Sequence, residues 1–406
     1  LEKAEHVELP GLKKPYVIEL KLDGKETELY RLLLIAQCNA LHTAMPFLFE
    51  KIEDETVLVL PESLLHTDSI LRKLVAGIEE HDWQEVEILG WIYESYIAEQ
   101  YEAVIGKVVA GADIPAATQR FTPKWVVKYL IHNTLGRLWL STYPNSPLKA
   151  KLRYYIEPAE QTPEVQEQLK DLTPTSLNPE TLTLLDPACG SAHLLVESYD
   201  LFKAIYQERG YRAKDIPRLI LDKNLFGVEI DDRAAQLAAF ALLMKARADD
   251  ARIFTSGVQP HVVALQETKG LNAKDITDTL NTPVLLEPLP PSGQLFDTDQ
   301  GLFTKENVAV AGDIAQADVA VLLGLFEDAK NFGSLIRVPP ALTAKLPEIE
   351  ARTRLVAKMS DNLFTRDTAA TLLPVIEQAK FLAGRYGCVV ANPPYMGAKY
   401  YNTRLK

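Results

Sequence analysis

The feature that most constrains this chain is a pattern repeated over residues 181–267: a short apolar run, a tight turn, then a stretch of helical period. "TLTLLD" (181–186) leads through "PACGSAH" into a helix over 193–210. "NLFGVEID" (224–231) leads into a helix over 232–249, and "PHVVALQE" (260–267) is a third run. "CVVAN" (388–392) is a fourth. Runs this short and apolar read as strands buried on both faces. Strands alternating with helices make a parallel sheet covered on each side. The expected fold class is therefore α/β, a Rossmann-like, doubly wound, mostly parallel sheet.

A helical region precedes the sheet. "LYRLLLIAQCNALHTAMPFLFE" and "WQEVEILGWIYESYIAEQYEAVIGKVV" carry apolar residues at three- and four-residue spacing, which marks residues 1–115 as a helical N-terminal domain. A further helix is expected over 121–140, with Thr122 as its cap and Pro123 in its first position. A polar connector (157–180) separates it from the first strand. The cofactor-binding part is expected over 116–267. Residues 268–384 read as a helical and loop insertion, with a mobile loop at 282–301, and 385–406 carry the last strand. The chain has no initiator Met and stops eleven residues after "NPPY", so it is expected to be a piece of a longer protein with an incomplete sheet.

Composition excludes several classes. No apolar run approaches the roughly 20 residues of a membrane helix; "AAQLAAFALLM" (234–244) is too short and contains Gln236. No signal pattern opens the chain. Cys38, Cys189 and Cys388 are far apart with no CxxC, which argues against disulfides or a zinc site and suits a reducing cytoplasm. A net charge of −12 speaks against nucleic acid, yet two acid-free zones exist. Residues 115–156 hold Arg120, Lys124, Lys128, Arg137, Lys149, Lys151 and Arg153, and residues 378–406 hold Lys380, Arg385, Lys399, Arg404 and Lys406. They read equally as phosphate contacts and as solvated faces.

Ligands of a doubly wound sheet sit outside the carboxyl ends of its strands. There lie "DPACGSAH" with Asp186, Gly190 and Ser191, then Glu229, then Gln266 and Glu267, and finally Asn392. A nicotinamide cofactor wants G-x-G-x-x-G with an acid about 20 residues on, to seat a pyrophosphate. Here a single Gly is followed by an acid 43 residues after Asp186. S-adenosylmethionine, a sulfonium with a ribose and no phosphate, fits better, with Glu229 accepting from the ribose.

"NPPY" (392–395) then acquires a chemistry. The exocyclic amine of adenine is a poor nucleophile because its lone pair is delocalised. The Asn392 side chain and the Pro393 carbonyl can accept the amine hydrogens and stabilise the charge that develops on methyl transfer. Pro393 and Pro394 fix the backbone and remove donors. Tyr395 offers a face to an extruded base. No metal and no covalent nucleophile are needed. Cys388 starts its strand, far from the reacting end, and reads as core, as does Cys189. His193, in the first turn of its helix, reads as structural.

"FTP", "DPACGS", "FGVEID" and "NPPY" together resemble the adenine-specific DNA methyltransferases of the gamma motif order. "MPFLFE", "DIPAATQRFTPKW", "YYIEPAEQTPEVQ", "EIDDRAAQLAAFALLM", "GSLI" and "NPPYMG" make the chain similar, from about residue 30 onward, to the PglX family of BREX phage-defence methyltransferases. The resemblance implies a pocket for S-adenosylmethionine lined by Phe121, Thr122, Pro123, Asp186, Pro187, Ala188, Gly190, Ser191, Glu229, Ile230 and Asp231, with Gln266 near the adenine. It implies Asn392, Pro393, Pro394 and Tyr395 as the catalytic motif. It also implies double-stranded DNA as substrate, read by a recognition domain further along, and other phage-defence proteins as partners. One departure is visible. The family reads G-S-G-H where this chain has Gly190, Ser191, Ala192 and His193. Two rivals remain: a methyltransferase of protein glutamine or ribosomal RNA, and a cofactor-binding defence subunit that does not turn over.

Overall fold

The structure, a computed structural model, describes residues 11–52, 64–104, 122–282 and 313–393, with residues 6, 8, 9, 61, 113 and 114. Phe121, Pro394, Tyr395, Arg120, Lys399, Arg404, Lys406 and nearly all of the expected 282–301 loop lie outside the described residues.

The first helices are α1 (Lys14–Leu22), α2 (Glu26–His42), α3 (Ile70–Gly77) and α4 (Ile88–Val104). Val17, Leu20 and Leu29 give α1 and α2 a small core of their own. Then come α5 (Lys124–His132), α6 (Leu135–Thr142) and α7 (Pro163–Leu172). The single helix expected over 121–140 is thus two. Asn133 breaks it: its amide donates to the carbonyls of Tyr129 and Tyr154, and its Oδ1 accepts from the Ile156 N–H, tying the helix to the next segment. Pro123 takes the cap position rather than the first turn, with no side chain capping this helix.

The sheet follows the expected rhythm: β1 (Leu184–Asp186), α8 (His193–Glu208), α9 (Ile216–Lys223), β2 (Leu225–Glu229), α10 (Asp232–Asp249) and β3 (His261–Ala264). Helices α11 (Ala273–Leu280), α12 (Gln316–Phe326), α13 (Ala329–Phe332), α14 (Pro340–Thr343), α15 (Leu346–Met359) and α16 (Leu363–Ala383) precede β4 (Cys388–Val389). All three pairings are parallel and the strand order is β3-β2-β1-β4. The chain winds outward from β1 to β3, then crosses back to lay β4 on the other side of β1. The order therefore reverses between β1 and β4, which is where such sheets open a crevice.

Strand alternation divides the core. Leu184, Leu225 and Cys388 face one cluster with α5, α6, α8 and α10, whereas Leu185, Val228 and Val263 face another with α11, α12, α15 and α16. Period-two alternation in strands this short means that each layer is built by one or two residues per strand. Gln236, the polar residue inside the apolar run of α10, donates to the Phe47 carbonyl and so docks the "MPFLFE" segment on that layer. Among the described residues no helix is long and apolar enough to cross a membrane.

Candidate active site

Everything in the site hangs on how β1 hands over to α8. The loop folds back on β2: the Cys189 N–H donates to the Val228 carbonyl at 3.0 Å. Gly227 makes room for it, since a Cβ there would lie 3.0 Å from Cys189 Sγ and from Leu195 Cδ1. Gly190 (φ +52°) and Ala192 (φ +76°) are both left-handed, and Ala192 is fully buried. The left-handed conformation costs a non-glycine residue about 1–2 kcal/mol. The glycine-to-alanine departure at this position is therefore borne as strain, compensated by a methyl packed in the core.

Two carboxylates meet behind this loop. Glu229 is buried, and its oxygens accept from the backbone N–H groups of Gly190 (2.7 Å), Ile230 (2.9 Å) and Asp231 (3.1 Å). One carboxylate thus clamps the β1 loop to the end of β2. Burial still pushes its pKa up, against those three donors and with Asp231 adding to the rise. Asp186 accepts from the Ala188 N–H at 3.2 Å. Burial pushes the Asp186 carboxyl up to about 8, the Ala188 N–H opposes this, and the Glu229 charge adds to it.

The sign of the consequence follows. Unfolded Asp titrates near 3.9, so between about pH 4 and about pH 8 the folded chain holds a proton that the unfolded chain releases. Stability contributed at Asp186 is full at the acid end of that window and is lost as pH rises through it. Asp186→Asn should therefore raise the ligand-free melting temperature increasingly from about pH 5 to about pH 8, with a level difference above. Parallel melts of both proteins across that range check it.

At β4 the chain runs past Val389 to Asn392, whose Nδ2 donates to Thr122 Oγ1 at 2.9 Å. Thr122 is buried, and instead of capping α5 it holds this amide. Asn392 Oδ1 accepts from no described residue. Pro393 is exposed, with its carbonyl at the same strand end. The segment ahead of α5 and the strand end of β4, 270 residues apart, are thus joined at one point. Cys388 lies in the core, where burial pushes its thiol up to about 11, and Cys189 is likewise buried and raised. Neither is poised as a nucleophile.

Gln266 lies at the end of β3. Its backbone N–H donates to Gln378 Oε1, Gln378 Nε2 returns a bond to the Gln266 carbonyl, and its own Nε2 donates to Asp232 Oδ1 at 2.6 Å. Asp232 also pairs with Lys330, which brings α13 and the "GSLI" segment over the end of β2. Gly333 there (φ +55°) would set a Cβ 3.4 Å from Ile230 Cγ2. Gly333→Ala should cost about 1–3 kcal/mol through backbone strain rather than contact, read as a fall in the denaturant midpoint.

Residues that the sequence did not single out also reach the site. Glu87, just ahead of α4, accepts from His193 Nδ1, and the Tyr93 hydroxyl donates to Asp231 Oδ2 at 3.0 Å. No local pattern marks them, because the partners lie 106 and 138 residues away. Of the basic zones, Lys128 pairs with Glu197, Lys149 with Glu157 and Lys380 with Glu350, so acids from outside each zone neutralise part of it.

Comparison with known proteins sets this geometry in a family. The family model described as "Eco57I restriction-modification methylase" matches residues 223–406, and "MmeI, DNA-methyltransferase domain" matches residues 160–277. The adenine-specific methyltransferase BrxX of Escherichia coli O9:H4 (strain HS) is 52% identical over 97% of this chain. The chain belongs to the BrxX and PglX family. The adenine-specific methyltransferase PglX of Lacticaseibacillus casei (strain Zhang) is 32% identical over 91% of the chain. The chain spans 32% of the length of that BrxX and 29% of that PglX, about a third of each. The parallel sheet with its helical layers is the expected α/β fold, and in this chain the acidic ends of β1 and β2 stand one and two strands from β4, which leads to Asn392.

Proposed function

We propose that this chain carries the cofactor pocket and catalytic asparagine of a DNA adenine methyltransferase, which transfers a methyl group from S-adenosylmethionine to the exocyclic amine within a BREX-type phage defence. The single observation that carries the reading is the tether between Asn392 and Thr122, next to two buried carboxylates on adjoining strands.

The residues fit the cofactor. A cationic ligand beside Asp186 and Glu229, both buried behind one loop, would draw their raised carboxyls back to the ionised form, which a pyrophosphate would not. The loop offers a single left-handed glycine at Gly190 and not the glycine-rich cradle that phosphates need. Asp186, Pro187, Ala188, Gly190 and Ser191 would hold the amino-acid end, with Thr122 and Pro123 opposite. Ile230 and Asp231 would flank the nucleoside, and Gln266 would stand near its base. Glu229 keeps one acceptor site beyond its three backbone donors for a ribose hydroxyl. When bound, the cofactor supplies an electrophilic methyl on a sulfonium.

The chain's own work is at the amine. With Nδ2 held by Thr122, Asn392 Oδ1 would be the first acceptor for the amine, and the Pro393 carbonyl would be the second. Two acceptors on the amine hydrogens localise the nitrogen lone pair and stabilise the positive charge as the new bond forms. The pre-set amide needs no reorganisation at that moment. Double-stranded DNA and other defence proteins are the partners this reading names, with recognition of the target sequence outside this chain.

Calorimetric titration of the purified chain with S-adenosylhomocysteine and with NAD tests the pocket. Saturable binding of the first alone is expected. Binding of NAD with equal affinity would sink the reading.

A further inference from the structure

We infer that helix α4 is the roof of the cofactor pocket, and that Glu87 and Tyr93 are positioning residues for the two loops beneath it. The inference rests on the cofactor reading above and extends it to a part of the chain with no site residue of its own.

Glu87, the residue just ahead of α4, and Gly90 and Tyr93 within it fall at three-residue steps, so Gly90 and Tyr93 continue along the helix the side on which Glu87 stands. Each touches a loop at the carboxyl edge of the sheet. Glu87 accepts from His193 Nδ1, and the other ring nitrogen, Nε2, lies 3.1 Å from the Ser191 hydroxyl. Ser191 is thereby fixed from above. Gly90 comes so close that a Cβ there would lie 2.6 Å from Ser191 Oγ. Tyr93 donates to Asp231, the residue that caps α10 through the N–H groups of Arg233 and Ala234. One helix face therefore sets the β1 loop and the β2 loop relative to each other.

The serine, histidine and carboxylate stand in the order of a hydrolytic triad, but the Gly90 backbone fills the space that a substrate carbonyl would need. Their chemistry is positional. The Glu87 carboxyl is pushed up by burial, yet the His193 hydrogen bond and charge, with Lys124 of α5 and Lys245 of α10, pull it below the usual range. It stays ionised at neutral pH and holds the histidine proton in place. Burial and the Asp231 charge push the Tyr93 hydroxyl up, so it remains a donor.

The attachment is polar more than apolar. Along α4 only Gly90 and Ile97 are buried among the residues whose burial is described. An element held this way opens at lower free energy than one packed into the core, so it can admit a cofactor and close over it.

The test compares hydrogen exchange of the chain with and without S-adenosylhomocysteine, and titrates Glu87→Gln and Tyr93→Phe. Ligand-dependent protection of residues 88–104 together with 186–193 is expected. Each variant should weaken binding about tenfold, with the ligand-free melting temperature held to within about 2 °C. Tyr93→Phe removes one oxygen only, so it keeps the test open if Glu87→Gln fails to fold. Protection of 186–193 with none in 88–104, and unchanged dissociation constants, would overturn the roof while leaving the cofactor reading intact. No binding of S-adenosylhomocysteine to the wild type would overturn both.

Discussion

Asn392→Ala should lower methyl transfer by about two to three powers of ten while leaving cofactor affinity within about twofold of wild type. Asn392 touches no residue assigned here to cofactor contact except Thr122, through its amide nitrogen. In the proposed role its Oδ1 would act only where charge develops on the target nitrogen, which is the condition for an effect on rate without one on binding. Asn392→Asp makes the finer point. It keeps an acceptor, but both its oxygens are acceptors, so Thr122 must turn its hydroxyl round to donate. Activity should fall, though less than for alanine. Labelled-methyl incorporation into unmodified DNA by the protein carrying each change, beside titration of S-adenosylhomocysteine, separates rate from binding. Equal loss of affinity and rate in Asn392→Ala would move the residue into the cofactor pocket.

Glu229→Ala should be the more disruptive change. Three backbone N–H groups, on Gly190, Ile230 and Asp231, lose their common acceptor. An orphaned buried donor costs about 1–3 kcal/mol, and water entering the space offsets part of it, so about 3 kcal/mol of stability should go. Removing a carboxylate disfavoured by burial returns some of that, which makes this figure an upper one. Cofactor affinity should fall at least tenfold, because the loop carrying Gly190 and Ser191 is no longer clamped to β2. Glu229→Gln is no rescue: it turns one acceptor into a donor facing N–H groups. Denaturant melts and S-adenosylhomocysteine titration read both effects. A variant that melts and binds like wild type would mean that the loop is held by something else.

How much of this was legible follows from the range of each interaction. The four strands were, because each is a short apolar run leading to a polar residue: Asp186 and Glu229 end theirs, whereas β3 stops at Ala264, short of Gln266, and β4 at Val389, short of Asn392. Strand length was less so. "TLTLLD" becomes a strand only from Leu184, since Pro179–Thr181 turn first and the buried Asn224 amide pins the carbonyls of Pro179 and Leu182. The split at Asn133 was hidden for the same reason: its partners Tyr154 and Ile156 lie beyond the helix. Thr122 was read as a cap from local pattern, and a partner 270 residues away took its hydroxyl. Glu87, Tyr93 and Lys330 carry no motif at all; folding alone brings them to the strand ends.

The central claim is that Asn392, set by Thr122 beside an S-adenosylmethionine pocket, methylates adenine in DNA. Single-molecule sequencing of chromosomal DNA tests it most directly, in cells with the gene deleted, restored, or restored with Asn392→Ala at its native locus. The account predicts N6-methyladenine at one defined sequence in the restored strain and at background in the other two. Equal methylation with and without the gene, or wild-type methylation from Asn392→Ala, would contradict it.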